Sequence, residues 1–163
     1  MVNVVKAERF KGKRIKADSE GVLIKMIHYM KLKEVPFKKI KLGKKTVELR
    51  LYDDKRRKIS IGDKIIFSNI VDEDDKLVVI VKALYIYETF RDLFEEISSE
   101  ECGNPKDMPI ESAVDHMREY YSLEDEQKYG VIGIKIVLIE KKGSCYCKNK
   151  QGGWSNESCY NEP

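Results

Sequence analysis

Nothing in this 163-residue chain approaches the roughly 20 consecutive apolar residues that span a bilayer. A membrane helix is therefore not expected. The basic stretch from Met1 to Lys16 lacks the apolar core of a secretory signal, so the expected location is cytoplasmic. Histidine is scarce, with only His28 and His116, which argues against a multi-histidine metal centre. No H-E-x-x-H pair, phosphate-cradling glycine loop or nucleophile elbow occurs. Three of the four cysteines, Cys145, Cys147 and Cys159, fall in the last 20 residues, and Cys102 stands apart. Their C-x-C-x11-C spacing has no histidine nearby and matches no standard zinc pattern. Neither a metal nor a cofactor is expected.

What the chain has in abundance is charge: 36% of its residues are Asp, Glu, Lys or Arg. The net value of +3 hides an asymmetry. Residues 1–60 carry 19 basic against 7 acidic side chains, and residues 61–140 carry 8 against 19. The basic third can offer phosphates a landing surface, or the two halves can pair across the fold.

Pattern divides the chain into a basic extension (1–21), a compact domain (22–141) and a Gly, Ser, Asn and Cys-containing tail (142–163) expected to be flexible. One short strand is expected at Val2–Val5. Within the domain a first strand over Val22–Leu32 precedes a short helix opened by Lys33-Glu34-Val35-Pro36-Phe37 and ended by Gly43. Strands follow at Thr46–Tyr52, Lys64–Ile70 and Leu77–Tyr87. Thr89 and Asp92 cap a helix whose apolar stripe is Phe90, Leu93, Phe94 and Ile97. A helix over about 111–121 and a further helical turn, started by Ser122 and closed by Gly130, lead to a last strand, Val131–Ile139. Short strands, read as mostly hairpin-linked, predict a small α+β mixed barrel with flanking helices.

The strand Thr46–Tyr52 alternates without a break. Val47, Leu49 and Leu51 face one way, and Thr46, Glu48, Arg50 and Tyr52 the other, which predicts a half-buried strand with a polar face. Glu48 and Arg50 are about 7 Å apart on that face. Arg50 offers a planar fork to a phosphate or base edge, and Glu48 can accept from an exocyclic amine. Lys45 can hold an anion or, if desolvated, act as a base. Tyr52 or Tyr29 can stack a base. The alternative is a simple Glu48–Arg50 ion pair. His28 is a further ligand candidate or a structural histidine. In the run Lys55-Arg56-Arg57-Lys58, Arg56 and Arg57 are phosphate candidates or part of a solvated loop.

Gly43-Lys44-Lys45-Thr46-Val47-Glu48-Leu49-Arg50 resembles the G-x-K-x-x-E-x-R signature of the ASCH domain, a relative of the PUA fold. Pro36-Phe37, the loop from Asp53 to Arg57, Gly62-Asp63-Lys64-Ile65-Ile66-Phe67, Tyr129-Gly130, His28 and Met30 fit the same pattern. The resemblance covers about residues 26–139. It implies a PUA-like barrel whose polar cleft binds RNA or a nucleotide. One branch hydrolyses N4-acetylcytidine with a Lys, a Thr and a Glu, and another resembles a ribonuclease. That branch's lysine matches Lys45, its threonine position holds Glu48, and its glutamate falls among Glu95, Glu96, Glu100 and Glu101.

The leading expectation is a module that binds RNA or a modified nucleotide or nucleoside through Lys45, Thr46, Glu48, Arg50, Tyr52 and His28, with no membrane partner. The alternatives are a small hydrolase using Lys45 as base, or a protein-interaction module.

Overall fold

The computed structural model describes residues 26–139 in full and the backbone of 3–5, 147–148 and 154–155. The expectations for the rest of 1–21 and 142–163 lie outside the described residues. The elements are β1 (Asn3–Val5), β2 (Ile27–Leu32), α1 (Glu34–Lys41), β3 (Val47–Leu51), a 3-10 turn at Arg56–Lys58, β4 (Lys64–Asn69), β5 (Lys76–Tyr87), α2 (Phe90–Glu96), α3 (Ile110–Arg118), α4 (Leu123–Tyr129), β6 (Val131–Leu138), β7 (Cys147–Lys148) and β8 (Trp154–Ser155). The last two pair only with each other.

The main sheet runs β2-β4-β5-β6-β3, with β1 antiparallel to β5. It curls into a half-barrel, as the PUA-like reading requires. A register shift between Val81 and Ala83 interrupts the β5–β6 ladder, and such bulges bend a strand and increase its twist. The expectation of mostly hairpin-linked strands is corrected. Within the main sheet only β4 and β5 are joined as a hairpin, and β2 runs parallel to β4. A parallel pair needs a long crossover, which α1 and β3 supply between them.

Two apolar clusters result. Leu32, Phe37, Ile65, Phe67, Val79, Ile132 and Ile134 fill the concave side of the sheet. Val47, Leu49, Phe90, Leu93, Ala113 and Val114 pack the other face against α2 and α3. Local signals set these elements where the sequence placed them. Thr89 accepts from the Asp92 N–H at the start of α2, and Ser122 accepts from the Asp125 N–H at the start of α4.

β3 departs from expectation in one way that matters. It is not half-buried, because Val47, Glu48 and Leu49 are all buried. The helices cover its Val47–Leu49 face. On the opposite face Glu48 sits across from Ile134 and Arg50 across from Ile132, both members of the concave core. Glu48 and Arg50 thus occupy positions where the neighbouring strand carries isoleucine.

Candidate functional site

The curled sheet does not close through backbone pairing of its end strands β2 and β3. Arg50 bridges that seam: its Nη2 donates to the Lys31 carbonyl of β2 at 3.0 Å. A cleft of about 910 Å³ opens here, within the range of small-molecule sites. Lys45, Glu48 and Arg50 line its floor.

The floor is an alternating row of charge. Glu48 Oε2 lies 3.4 Å from Lys45 Nζ, and Glu48 Oε1 lies 3.0 Å from Arg50 Nε. Both contacts are at ion-pair distance, yet neither Glu48 Oε2 nor Arg50 Nε makes an aligned hydrogen bond. Only 4% of Glu48 and 9% of Lys45 is exposed. Burial works to lower the Arg50 pKa, but Glu48 and the Tyr121 hydroxyl outweigh it, so the guanidinium ends above its ordinary value. Arg50 is thus a permanent cation at the seam.

Lys45 is held at both its backbone and its ammonium. Its backbone N–H donates to the Lys39 carbonyl of α1, and its Nζ donates to the Cys102 carbonyl at 2.9 Å. The same loop is pinned to the start of β3, since the N–H groups of Thr46 and Val47 both donate to the Glu101 carbonyl. Lys39 Nζ reaches the Gly103 carbonyl at 2.6 Å. The 101–103 loop therefore fixes one wall of the cleft.

The walls are largely apolar, with Lys33, Glu34, His116 and Glu119 among them. Val35 and Pro36 stand on one side, Ile70 and Val71 follow β4, and Met117 and Tyr120 come from the end of α3. Val35, Ile70, Val71 and Tyr120 are more than half exposed. Lys33 Nζ lies 4.3 Å from the Tyr120 ring centroid, a cation–π contact across the mouth.

The other sequence candidates lie elsewhere. The Thr46 hydroxyl accepts from Lys135 Nζ, which also pairs with Glu101, and Thr46 does not line the cleft. Tyr52 packs against the concave core, with the Arg57 guanidinium 4.4 Å from its ring centroid. Arg56 pairs with Asp53 at 2.8 Å. His28 Nε2 sits 2.9 Å from Asp63 Oδ2, and Asp63 also accepts from the N–H groups of Met26 and Ser60. Among the described residues, no hydroxyl is hydrogen-bonded to Lys45, and Glu48 is the carboxylate at ion-pair distance from it. Glu95, Glu96 and Glu100 are exposed.

Sequence reasoning missed Lys31, Lys33, the 102–104 loop and the Tyr120-Tyr121 pair. The tyrosine doublet at the end of an amphipathic helix was the one local signal available. Nothing near Gly43–Arg50 in sequence points to a loop more than 50 residues away.

Cys102 is buried in the second core cluster, and its thiol pKa is pushed up to about 12 by burial. Two results are expected. Iodoacetamide should leave Cys102 unmodified in the folded protein and label it after denaturation, as read by peptide mass spectrometry. In addition, the unfolded thiol loses its proton near the ordinary value of 9.0, whereas the folded one holds it to about 12. The unfolded state then binds fewer protons, so this contribution to stability is complete below pH 9 and declines above it. A Cys102→Ala variant should lose less stability than wild type between pH 8 and 10. Equal slopes in urea denaturation would refute this.

The family model of the ASCH domain matches residues 30–140. The crystal structure of the hypothetical protein PH0355 is 42% identical to this chain, with a TM-score of 0.63, and the match covers 70% of this chain and 100% of that one. The solution NMR structure of protein PF0455 from Pyrococcus furiosus is 38% identical with a TM-score of 0.53, covering 71% of this chain and 99% of that one. No curated protein matches. Among the described residues no helix is long and apolar enough to cross a membrane.

Proposed function

The chain belongs to the ASCH domain family, and on that premise we propose that it binds RNA or a nucleotide by taking a base into the cleft floored by Lys45, Glu48 and Arg50. One observation carries the reading: a buried carboxylate is held between two cations at the bottom of a largely apolar-walled cleft of nucleotide size. A base is flat and apolar on its faces but polar along its edge. Tyr120 and Met117 suit the face. Glu48, Lys45 and Arg50 suit the edge, because together they offer acceptors and donors in one row. The ASCH family as a whole is linked to nucleic-acid binding, which agrees with this division of labour.

The arrangement favours holding over turnover. Lys45 Nζ is committed to the Cys102 carbonyl and faces Glu48, and among the described residues no hydroxyl is hydrogen-bonded to it. Thr46, the hydroxyl nearest in sequence, is engaged by Lys135.

The test is equilibrium binding of nucleoside monophosphates and short single-stranded RNA at several salt concentrations. Tyr120→Ala should weaken binding about 5- to 160-fold, since base stacking on an aromatic ring is worth roughly 1–3 kcal/mol. Arg50→Lys keeps a cation beside Glu48 but removes the planar fork, and a similar loss is expected. If both variants bind like wild type, a base does not occupy this cleft.

A further inference from the structure

A second hollow of about 430 Å³ is lined by His28, Tyr29, Lys31, Lys55, Arg56 and Lys58 among others. No acidic residue lines it. The two hollows share Lys31, the residue whose carbonyl receives Arg50. Resting on the nucleotide reading of the cleft, we infer that this basic groove carries the phosphate backbone of a single RNA strand whose base enters the cleft, so that the ligand is an oligonucleotide and not a free nucleoside.

Three features support this. The first is charge that is free to act. Arg56 is engaged by Asp53, and Arg57 lies against Tyr52, so neither of the arginines singled out in the sequence is uncommitted. Lys55 and Lys58 line the groove, are exposed, and make no ion pair among the described residues. Among the described residues the Lys31 ammonium pairs with Glu73 alone, in an exposed contact that a phosphate can replace at little cost.

The second is length. A strand rises about 3.3 Å per residue, so Ile27 to Lys31 spans roughly 13 Å, too long for one phosphate. The third is Tyr29, 75% exposed in the same groove, which offers a flat face for a neighbouring base. Behind it, the His28–Asp63 pair ties β2 to the turn before β4 and holds the groove wall in place.

The experiment measures binding of labelled oligouridylates of one, three and six nucleotides to the full chain. It uses wild type and the double variant Lys55→Glu/Lys58→Glu. Wild type should bind the hexamer at least 10-fold more tightly than the mononucleotide. The double variant should lose most of that gain while binding the mononucleotide as wild type does. Its log–log salt slope for the hexamer should fall by roughly 1.4, from two lost phosphate contacts on a single strand. Both lysines are exposed, so an unchanged unfolding midpoint is the expected fold control.

A hexamer that binds no tighter than the mononucleotide overturns the inference. So does a double variant that retains the full length dependence. Heparin competing as well as the hexamer at equal charge also overturns it, by exposing a general polyanion surface. If the mononucleotide does not bind but the hexamer binds through Lys55 and Lys58, the groove stands and the cleft reading fails.

Discussion

Replacing Glu48 by alanine is expected to cost about 3–5 kcal/mol of folding stability, the usual penalty for removing one member of a buried charge group. The reason lies in what remains. Lys45 is 9% exposed, and the Arg50 side chain is 18% exposed. Without Glu48 they become two neighbouring buried cations whose remaining partners are neutral groups: the carbonyls of Cys102 and Lys31 and the hydroxyl of Tyr121. Neutral acceptors offset far less charge than a carboxylate does.

The effect should be specific to charge, so a double variant distinguishes it from simple loss of volume. Glu48→Ala/Arg50→Met removes one of the two stranded cations and should recover part of the loss. Urea denaturation of the single and double variants measures the coupling. If Glu48→Ala alone costs less than about 1 kcal/mol, the row is not acting as a desolvated charge cluster, and the cleft floor must be wetter than its burial implies.

This same triad shows how far the sequence could be read. The alternation of Val47, Leu49 and Leu51 against Glu48 and Arg50 was legible, because strand periodicity is local. Its consequence was not. A polar face normally looks to solvent, but here the pairing of β3 with β6 turns Glu48 and Arg50 toward the concave core. That register is set by residues more than 80 positions away in sequence. The cap at Thr89 and the helical start at Ser122 were legible for the opposite reason: each acts over three residues. The barrel class followed from strand spacing, yet the parallel β2–β4 pair did not, because direction depends on the crossover and not on the strand itself. In the site, Lys45, Glu48 and Arg50 were visible as a motif. Tyr120 and the Cys102–Asn104 loop, which complete the cleft, come from helices and turns that periodicity leaves unplaced relative to the sheet. Tyr52, expected to stack a ligand, is partly buried against the concave core, with Arg57 over its ring.

Gly130 carries the second large expected effect. It ends α4 at φ 68° and ψ −171°, a region of backbone space that is essentially closed to residues with a side chain. Strain of that kind costs about 1–3 kcal/mol on its own. A Cβ placed there would also stand 2.9 Å from the backbone oxygen of Tyr87, which no side-chain rotation can relieve. Gly130→Ala should therefore lose about 3 kcal/mol or more in urea or thermal unfolding. Gly43 provides the internal comparison. Its φ is 70°, but a Cβ there meets nothing within 4 Å, so Gly43→Ala should cost only about 1–2 kcal/mol.

The consequence reaches the site through the chain itself. The Gly130 carbonyl accepts from the Tyr52 N–H just beyond β3, and Gly130 leads directly into β6, which sets the register of Glu48 and Arg50. A shift at Gly130 large enough to relieve the Tyr87 contact must also move that anchor. Gly130→Ala should thus weaken the proposed nucleotide binding as well as stability, while Gly43→Ala, on the exposed turn after α1, should change that binding little. Equal losses of stability in the two variants would show that the Tyr87 contact yields and that backbone conformation alone sets the cost.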